Sequence, residues 1–364
     1  MAFKEIELNM GPQHPSTHGV LRLKLSVDNE VVMRLDPEIG YLHRGMEKLF
    51  EDHTYPQITP LTDRLDYLAA ISNNFGYVLA VEKLMGLEIP KRAQYIRVIL
   101  AELQRIASHL AWAGFMANDI GAVSILLYAF IERENILEIF EEYCGARLTV
   151  HGMRIGGVPY DLDSKIIGMI YNLLETVPKR LKDIDNLLTG NRIWIHRTKN
   201  ISVIPGKEAI EYGLTGPALR ASGIKWDIRK DIPYSSYEDF DFEVAMGTNC
   251  DVYDRYLVRL EEIRQSLRII RQALDRLPEG EHRAKVAKIL KIPAGEVFQT
   301  IEAPKGELGY YIKSNGSEKP ERVKVKAPSF INLQCIERLC RGHLIADVVS
   351  ILGSLDILLG EIDK

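Results

Sequence analysis

The chain is poor in cysteine. Its four thiols, Cys144, Cys250, Cys335 and Cys340, are spread over 364 residues and none forms a C-x-x-C pair. That density argues against a disulfide framework and fits a reducing, cytoplasmic compartment. Cys335 and Cys340 are five apart, which on a helix points them to different sides, so no zinc site or cluster is expected from this chain alone. An excess of one charge is also lacking. The formal net charge is -4, and no basic field points to nucleic acid. Long hydrophobic runs are missing too. The longest stretch without a charged residue, Tyr67 to Val81, is too short to span a bilayer and carries Ser72, Asn73 and Asn74. Lys4, Glu5 and Glu7 come at once, unlike a secretory leader. The chain is therefore expected to be soluble, with any membrane link made through partners. No G-x-G-x-x-G, G-x-x-x-x-G-K-S/T or G-x-S-x-G segment occurs, so direct nucleotide binding and a nucleophile elbow are not expected.

What is present divides the chain into four expected parts. Residues 1–35 are the first, where 3–9 and 20–34 alternate, as in Leu21-Arg22-Leu23-Lys24-Leu25-Ser26-Val27, and read as short antiparallel strands. Residues 36–189 read as a bundle of long helices. Asp36-Pro37 marks a helix start, with Ile39, Leu42, Met46 and Leu49 as its stripe. Thr59-Pro60 opens a second helix running to about Gly86, and Pro90 a third carrying Ile96, Ile99, Leu103, Ile106 and Leu110. Two more cover 121–144 and 161–188, with a loop at Arg154-Ile155-Gly156-Gly157-Val158-Pro159 between them. Residues 190–250 are mixed and rich in turns. Residues 251–364 begin with an amphipathic helix to about Leu277, alternate again over 300–327, and end in a helix containing Ala346 to Leu352. The fold class is α+β, mainly α, with small sheets near both ends.

Several residues could carry chemistry. His14 and His18 sit in a segment dense in Gly, Pro, Ser and Thr, which reads as a loop. They are either turn histidines or ligand-binding groups; Pro12 and Pro15 argue against a helical zinc pair. Asp63, Arg64 and Tyr67 share a helix face at spacings of three and four, as a surface salt-bridge network or as a phenol and guanidinium aimed into a cleft. Asp119 ends an apolar helix, as a cap or as the partner of a histidine whose charged form it would favour.

The segments GPQHPSTHGVLRL, YLHRGMEKL, DRLDYL, PKRAQYIRVILAELQRIASHL, RIGGV, EAPKGELGYYI and RGHLIADVVSILGSLDI together resemble the quinone-site subunit family of respiratory complex I, NADH:quinone oxidoreductase, along the whole chain. The resemblance implies a fold like the large subunit of [NiFe] hydrogenases. There, two C-x-x-C pairs hold the metals; here the equivalent segments look like Arg64-Leu65-Asp66-Tyr67-Leu68-Ala69 and Asp356-Ile357-Leu358-Leu359-Gly360-Glu361, without a thiolate. Soft thiolates are what such a site needs, so the resemblance implies no metal on this chain and a vacated cavity that takes a quinone headgroup.

By motif, His18 and Tyr67 resemble the residues that hydrogen-bond the quinone, Asp119 the carboxylate that pairs with His18, and His14 the other histidine of that loop. Arg44 and Arg64 resemble arginines near a [4Fe-4S] cluster of a neighbouring subunit. The implied substrate is ubiquinone or menaquinone, with further clusters and FMN in partner subunits. Implied partners are cluster-bearing peripheral-arm subunits and membrane-arm subunits, at the cytoplasmic face of the cell membrane, with coupled proton translocation. Thr149 departs from the family pattern, standing where many members have a titratable histidine, and His151 follows two residues on. Related complexes with a ferredoxin or deazaflavin donor, and a non-catalytic scaffold subunit, are the alternatives; a true hydrogenase is the weakest.

Overall fold

Leu21, Leu23, Leu25 and Val27 all turn inward in the computed structural model of the chain, none more than 2% exposed. The structure describes residues 5–13 and 19–364. Strands β1 (Glu5–Met10), β2 (Arg22–Asp28) and β3 (Val31–Glu38) form an antiparallel sheet in that order. Leu8 lies opposite Leu25, and Leu25 opposite Leu35. The period-2 pattern thus puts one face on the core.

Pro37 overturns the expected helix start at Asp36-Pro37. Asp36 pairs with Lys24 and Pro37 with Leu23, both within β3. Proline is tolerated near the end of an edge strand, where a missing N–H costs least, and Arg22 holds Glu38 across the strands at 3.0 Å. The first helix, α1 (Met46–Asp52), starts after Gly45 at φ 62. Ile39 and Leu42 therefore precede it.

The expected helix from Thr59 to Gly86 is two helices. The first, α2 (Tyr55–Thr62), starts earlier, at a capping box of Thr54 and Gln57, with Pro60 inside it. The chain then turns through 63–69 before α3 (Ala70–Met85), which Gly86 ends at φ 62. Two local effects break the helix. Pro60 removes a backbone donor, and the Asp66 carboxylate accepts from Leu68 N at 3.0 Å, a side-chain turn that competes with helix.

Helix α4 (Lys91–Asp119) runs through the centre, followed by α5 (Val123–Cys144) and α6 (Ser164–Ile184). Its expected stripe, Ile96, Ile99, Leu103, Ile106 and Leu110, is wholly buried. The other faces of α4 are buried too, which forces its polar side chains to find partners. Short helices α7 (Arg192–Thr198), α8 (Gly206–Glu211), α9 (Gly216–Ala221) and α10 (Ile228–Asp231) occupy the turn-rich region. The amphipathic helix α11 (Val252–Asp275) packs on α4, capped by Asp251, whose carboxylate accepts from Asp254 N at 2.8 Å. Strands β4 (Gly295–Ala303), β5 (Gly306–Ser314) and β6 (Arg322–Lys326) form a second antiparallel sheet. Helices α12 (Pro328–Asn332), α13 (Ile336–Cys340), α14 (Ile345–Leu355) and α15 (Leu359–Ile362) follow. The whole is mixed, mainly helical, with two small three-stranded sheets. Among the described residues no helix is long and apolar enough to cross a membrane.

Charge is buried where α4, α11 and β4 meet. Arg220 reaches Glu262 at 2.6 Å and Glu302 at 2.8 Å; His109 reaches Glu262 at 2.9 Å. Arg229 joins Asp227 at 2.6 Å to Glu102 at 3.2 Å, and Glu102 also accepts from Tyr237 and Ser266. None of these charged groups is more than 2% exposed. Such a network holds only because each member is paired.

Candidate functional site

The break at 63–69 creates the site. On a continuous helix Asp63, Arg64 and Tyr67 would share one face; in the turn they part. Asp63 and Asp66 point into the protein, at 0% and 2% exposed, while Arg64 is exposed and Tyr67 half-buried. Gln104 of α4 donates to Leu68 O at 2.8 Å and fixes the turn from below.

The C-terminal segment closes over this turn. Arg44 Nη2 donates to Arg64 O at 2.6 Å and to Gly360 O at 3.1 Å. Its loop is held in turn by the Asp363 carboxylate, which accepts from Gly40 N and Leu42 N at 2.8 Å each. Gly360 lies so close that a Cβ on it would stand 2.6 Å from Leu65 O and 3.3 Å from Tyr67 Cε1. We expect Gly360→Ala to force the turn and the tail apart at a cost of about 1–3 kcal/mol, the range for overpacking. Faster hydrogen exchange at the backbone amides of 64–69 would register it.

Behind the phenol stands a buried charge pair. Lys305, in the turn between β4 and β5, reaches Asp66 at 2.9 Å. Burial raises the Tyr67 phenol above its ordinary range, and the nearby Asp66 carboxylate adds to this, while Lys305 and Arg44 oppose it. The phenol therefore keeps its proton at neutral pH and serves as a donor.

Beside it, the buried Asp63 carboxylate accepts from Asn74 Nδ2, pairs with His151 Nε2, and lies 3.5 Å from Arg64 Nη1. His151 thus reaches the turn that carries Arg64, two residues beyond the untitratable Thr149. Burial raises the Asp63 carboxyl, with His151 the strongest opposing influence.

The structure brings Arg44, Arg64 and Tyr67 together. Asp119 is the last residue of α4, about 20 Å beyond Gln104 along the helix axis at 1.5 Å per residue. It is no N-terminal cap: Ala122 occupies that position for α5. A carboxylate at a helix C-terminus is disfavoured by the dipole by roughly 0.3–1 kcal/mol, so Asp119 is set there against local preference. His14 and His18 lie outside the described residues.

Sequence reasoning does not single out Lys305, Glu361 or Asp356. Lys305 lies in Ala303-Pro304-Lys305-Gly306, an ordinary hairpin signal, and Asp356 and Glu361 flank an apolar run. The charged residue within each apolar segment is the available signal, since a buried charge needs a partner from elsewhere.

The chain is also similar to known proteins along its length. The family profile described as "Respiratory-chain NADH dehydrogenase, 49 Kd subunit" matches residues 119–291 and 284–364. A D subunit of NADH-quinone oxidoreductase from Solibacter usitatus, numbered 2 in that organism, is 55% identical over 360 residues, covering 99% of this chain and 97% of that protein. The NADH-quinone oxidoreductase D subunit of Geotalea uraniireducens is 52% identical over 390 residues, covering both chains fully. The corresponding protein of Desulforamulus reducens is 52% identical over 360 residues, covering 99% of this chain and 98% of its own.

Proposed function

This chain belongs to the family of the respiratory-chain NADH dehydrogenase 49 kDa subunit, the D subunit of NADH-quinone oxidoreductase, and from that premise we propose that it builds the quinone-reducing pocket of such a complex. Electrons come from NADH through FMN and iron–sulfur clusters of partner subunits. A ubiquinone or menaquinone would be held between this chain and the adjoining peripheral-arm subunit, whose last cluster would supply the electrons. Tyr67 donates a hydrogen bond and then its proton to one quinone oxygen. His18, kept charged by Asp119, serves the other, with His14 supporting the same loop. Arg44 and Arg64 stand beside the cluster, where two fixed positive charges favour its reduced state by Coulomb attraction. Ion translocation takes place in membrane-arm subunits, and this chain sits peripherally on the cytoplasmic face, held through its partners.

The observation that carries the reading is the convergence of 64–69 with 356–361 around Tyr67 through Arg44 and Gly360. In a hydrogenase-like fold these two segments would each supply thiolates. Here an aromatic donor and carboxylates take their place, which suits an organic acceptor that needs protons rather than a soft metal. A photoreactive quinone analogue bound to the intact complex should attach to the peptide containing Tyr67, and excess quinone should suppress the labelling. Labelling confined to other chains would support the scaffold reading instead.

A further inference from the structure

Beyond Tyr67, away from solvent, lies a closed group of ionisable side chains that the proposed chemistry leaves without a task. Asp66, Lys305 and Glu361 are at most 2% exposed, and Asp356 is 7% exposed. Lys305 Nζ reaches Asp66 at 2.9 Å and Ser108 Oγ at 3.4 Å. Glu361 Oε1 accepts from Ser329 N at 3.0 Å. Asp356 Oδ2 is buried with no hydrogen-bond partner, 3.8 Å from Arg259 Nε. Lys305 touches Asp66 and also feels the charges of Asp356 and Glu361.

The three carboxyl groups cannot all be ionised at once in so dry a place. Asp66 holds the lysine, and its Oδ1 also accepts from Leu68 N. Asp356 has Arg259 nearby. Glu361 has only the weaker opposing influence of Lys305 and Ser329, and burial, with the charge of Asp66 next in weight, pushes its carboxyl up to about 7. The groups facing Glu361 from the surrounding elements are Asp66, Lys305, Tyr310 and the adjacent Lys364. Asp356, His109 and Arg259 form the layer behind. Gly360, next to Glu361 in the chain, is the residue packed on the Tyr67 ring.

We propose that Glu361 is a proton store for Tyr67: its carboxylic acid gives the proton that restores the phenol after Tyr67 has protonated the quinone. The proton leaves the Glu361 carboxyl oxygen and ends on the Tyr67 phenolate oxygen. This regenerates Tyr67–OH and leaves a Glu361 carboxylate beside Lys305. Glu361 recovers a proton from solvent before the next turnover. No electron moves in this step. The inference rests on the placement of Tyr67 at the quinone.

Glu361→Gln keeps the shape and the acceptor for Ser329 N but cannot release a proton. In the assembled complex it should lower kcat for quinone reduction by roughly 100-fold, the low end of what positioned proton donors contribute. KM for quinone and electron entry from NADH to an artificial acceptor should not change. The wild-type kcat should fall as pH rises through the region of 7, where the store empties, and Glu361→Gln should lose that limb while Glu361→Asp retains it. Wild-type kcat and pH profile in Glu361→Gln, with Tyr67→Phe inactive, would overturn the store alone. Wild-type quinone kinetics in Tyr67→Phe would overturn the underlying placement and the store with it. Should Glu361→Gln not assemble, infrared difference spectra of the wild-type complex decide. A carboxylic C=O band that disappears as pH rises through the same region, and shifts with glutamate isotope labelling, supports the store. Its absence overturns it.

Discussion

Tyr67→Phe is expected to slow quinone reduction by the assembled complex by roughly 10²- to 10⁴-fold, the contribution of a positioned general acid. The substitution deletes one oxygen and leaves the ring against Gly360, so packing is preserved. Loss of one hydrogen bond weakens quinone binding by about 0.5–1.5 kcal/mol, so most of the effect belongs in kcat rather than KM. Reduction of the clusters by NADH should proceed as in the wild type, because in the proposed role the phenol acts only on the quinone, after the clusters are reduced. The two measurements together separate a proton donor from a structural tyrosine. Unchanged quinone kinetics would take Tyr67 out of the site.

Arg220→Met should be the most damaging single change away from the site. Arg220 is fully buried and bridges Glu262 and Glu302. Removing it leaves two carboxylates without their shared counterion, at a cost of about 3–5 kcal/mol for a broken buried pair. That is a large part of a domain's typical stability of about 5–15 kcal/mol. The expected readout is a sharp drop in the amount of this chain recovered in the purified complex. The double variant Arg220→Met, Glu262→Gln should recover part of the loss, since the penalty lies in the stranded charge rather than in the missing contact. A single variant that assembles at wild-type levels would show that the surrounding arginines compensate.

The sequence-based reading succeeds where local pattern decides. Alternation at 21–27 marks the buried face of β2, and the spacing of Ile96 to Leu110 marks the central helix, because burial periodicity is written into neighbouring residues. It fails where a competing local signal is equally good. Asp36-Pro37 has the form of a capped helix start, yet the strand opposite takes it into the sheet. Thr59-Pro60 has the same form, yet a capping box a full turn earlier begins α2. Tyr67 and the two arginines enter only through resemblance to a family motif, and the turn that separates Arg64 from Asp66 is not legible in the sequence. The pairing of His151 with Asp63, and of Lys305 with Asp66, joins segments far apart in the chain. No local spacing encodes which distant carboxylate a buried cation will meet.

The clasp of Arg44 on Gly360 joins residues 316 positions apart. During synthesis at about 5–20 residues per second, the Arg44 loop and the Tyr67 turn wait roughly 15–60 s for the segment that covers them. In that interval Lys305 arrives to meet Asp66, but neither Glu361 nor Asp363 yet exists. The turn around Tyr67 thus gains its cover long after its own residues are made. The first sheet and the central helix also wait for this end of the chain, since Val32 N donates to His343 O at 2.9 Å and Trp112 Nε1 to Gly353 O at 2.7 Å.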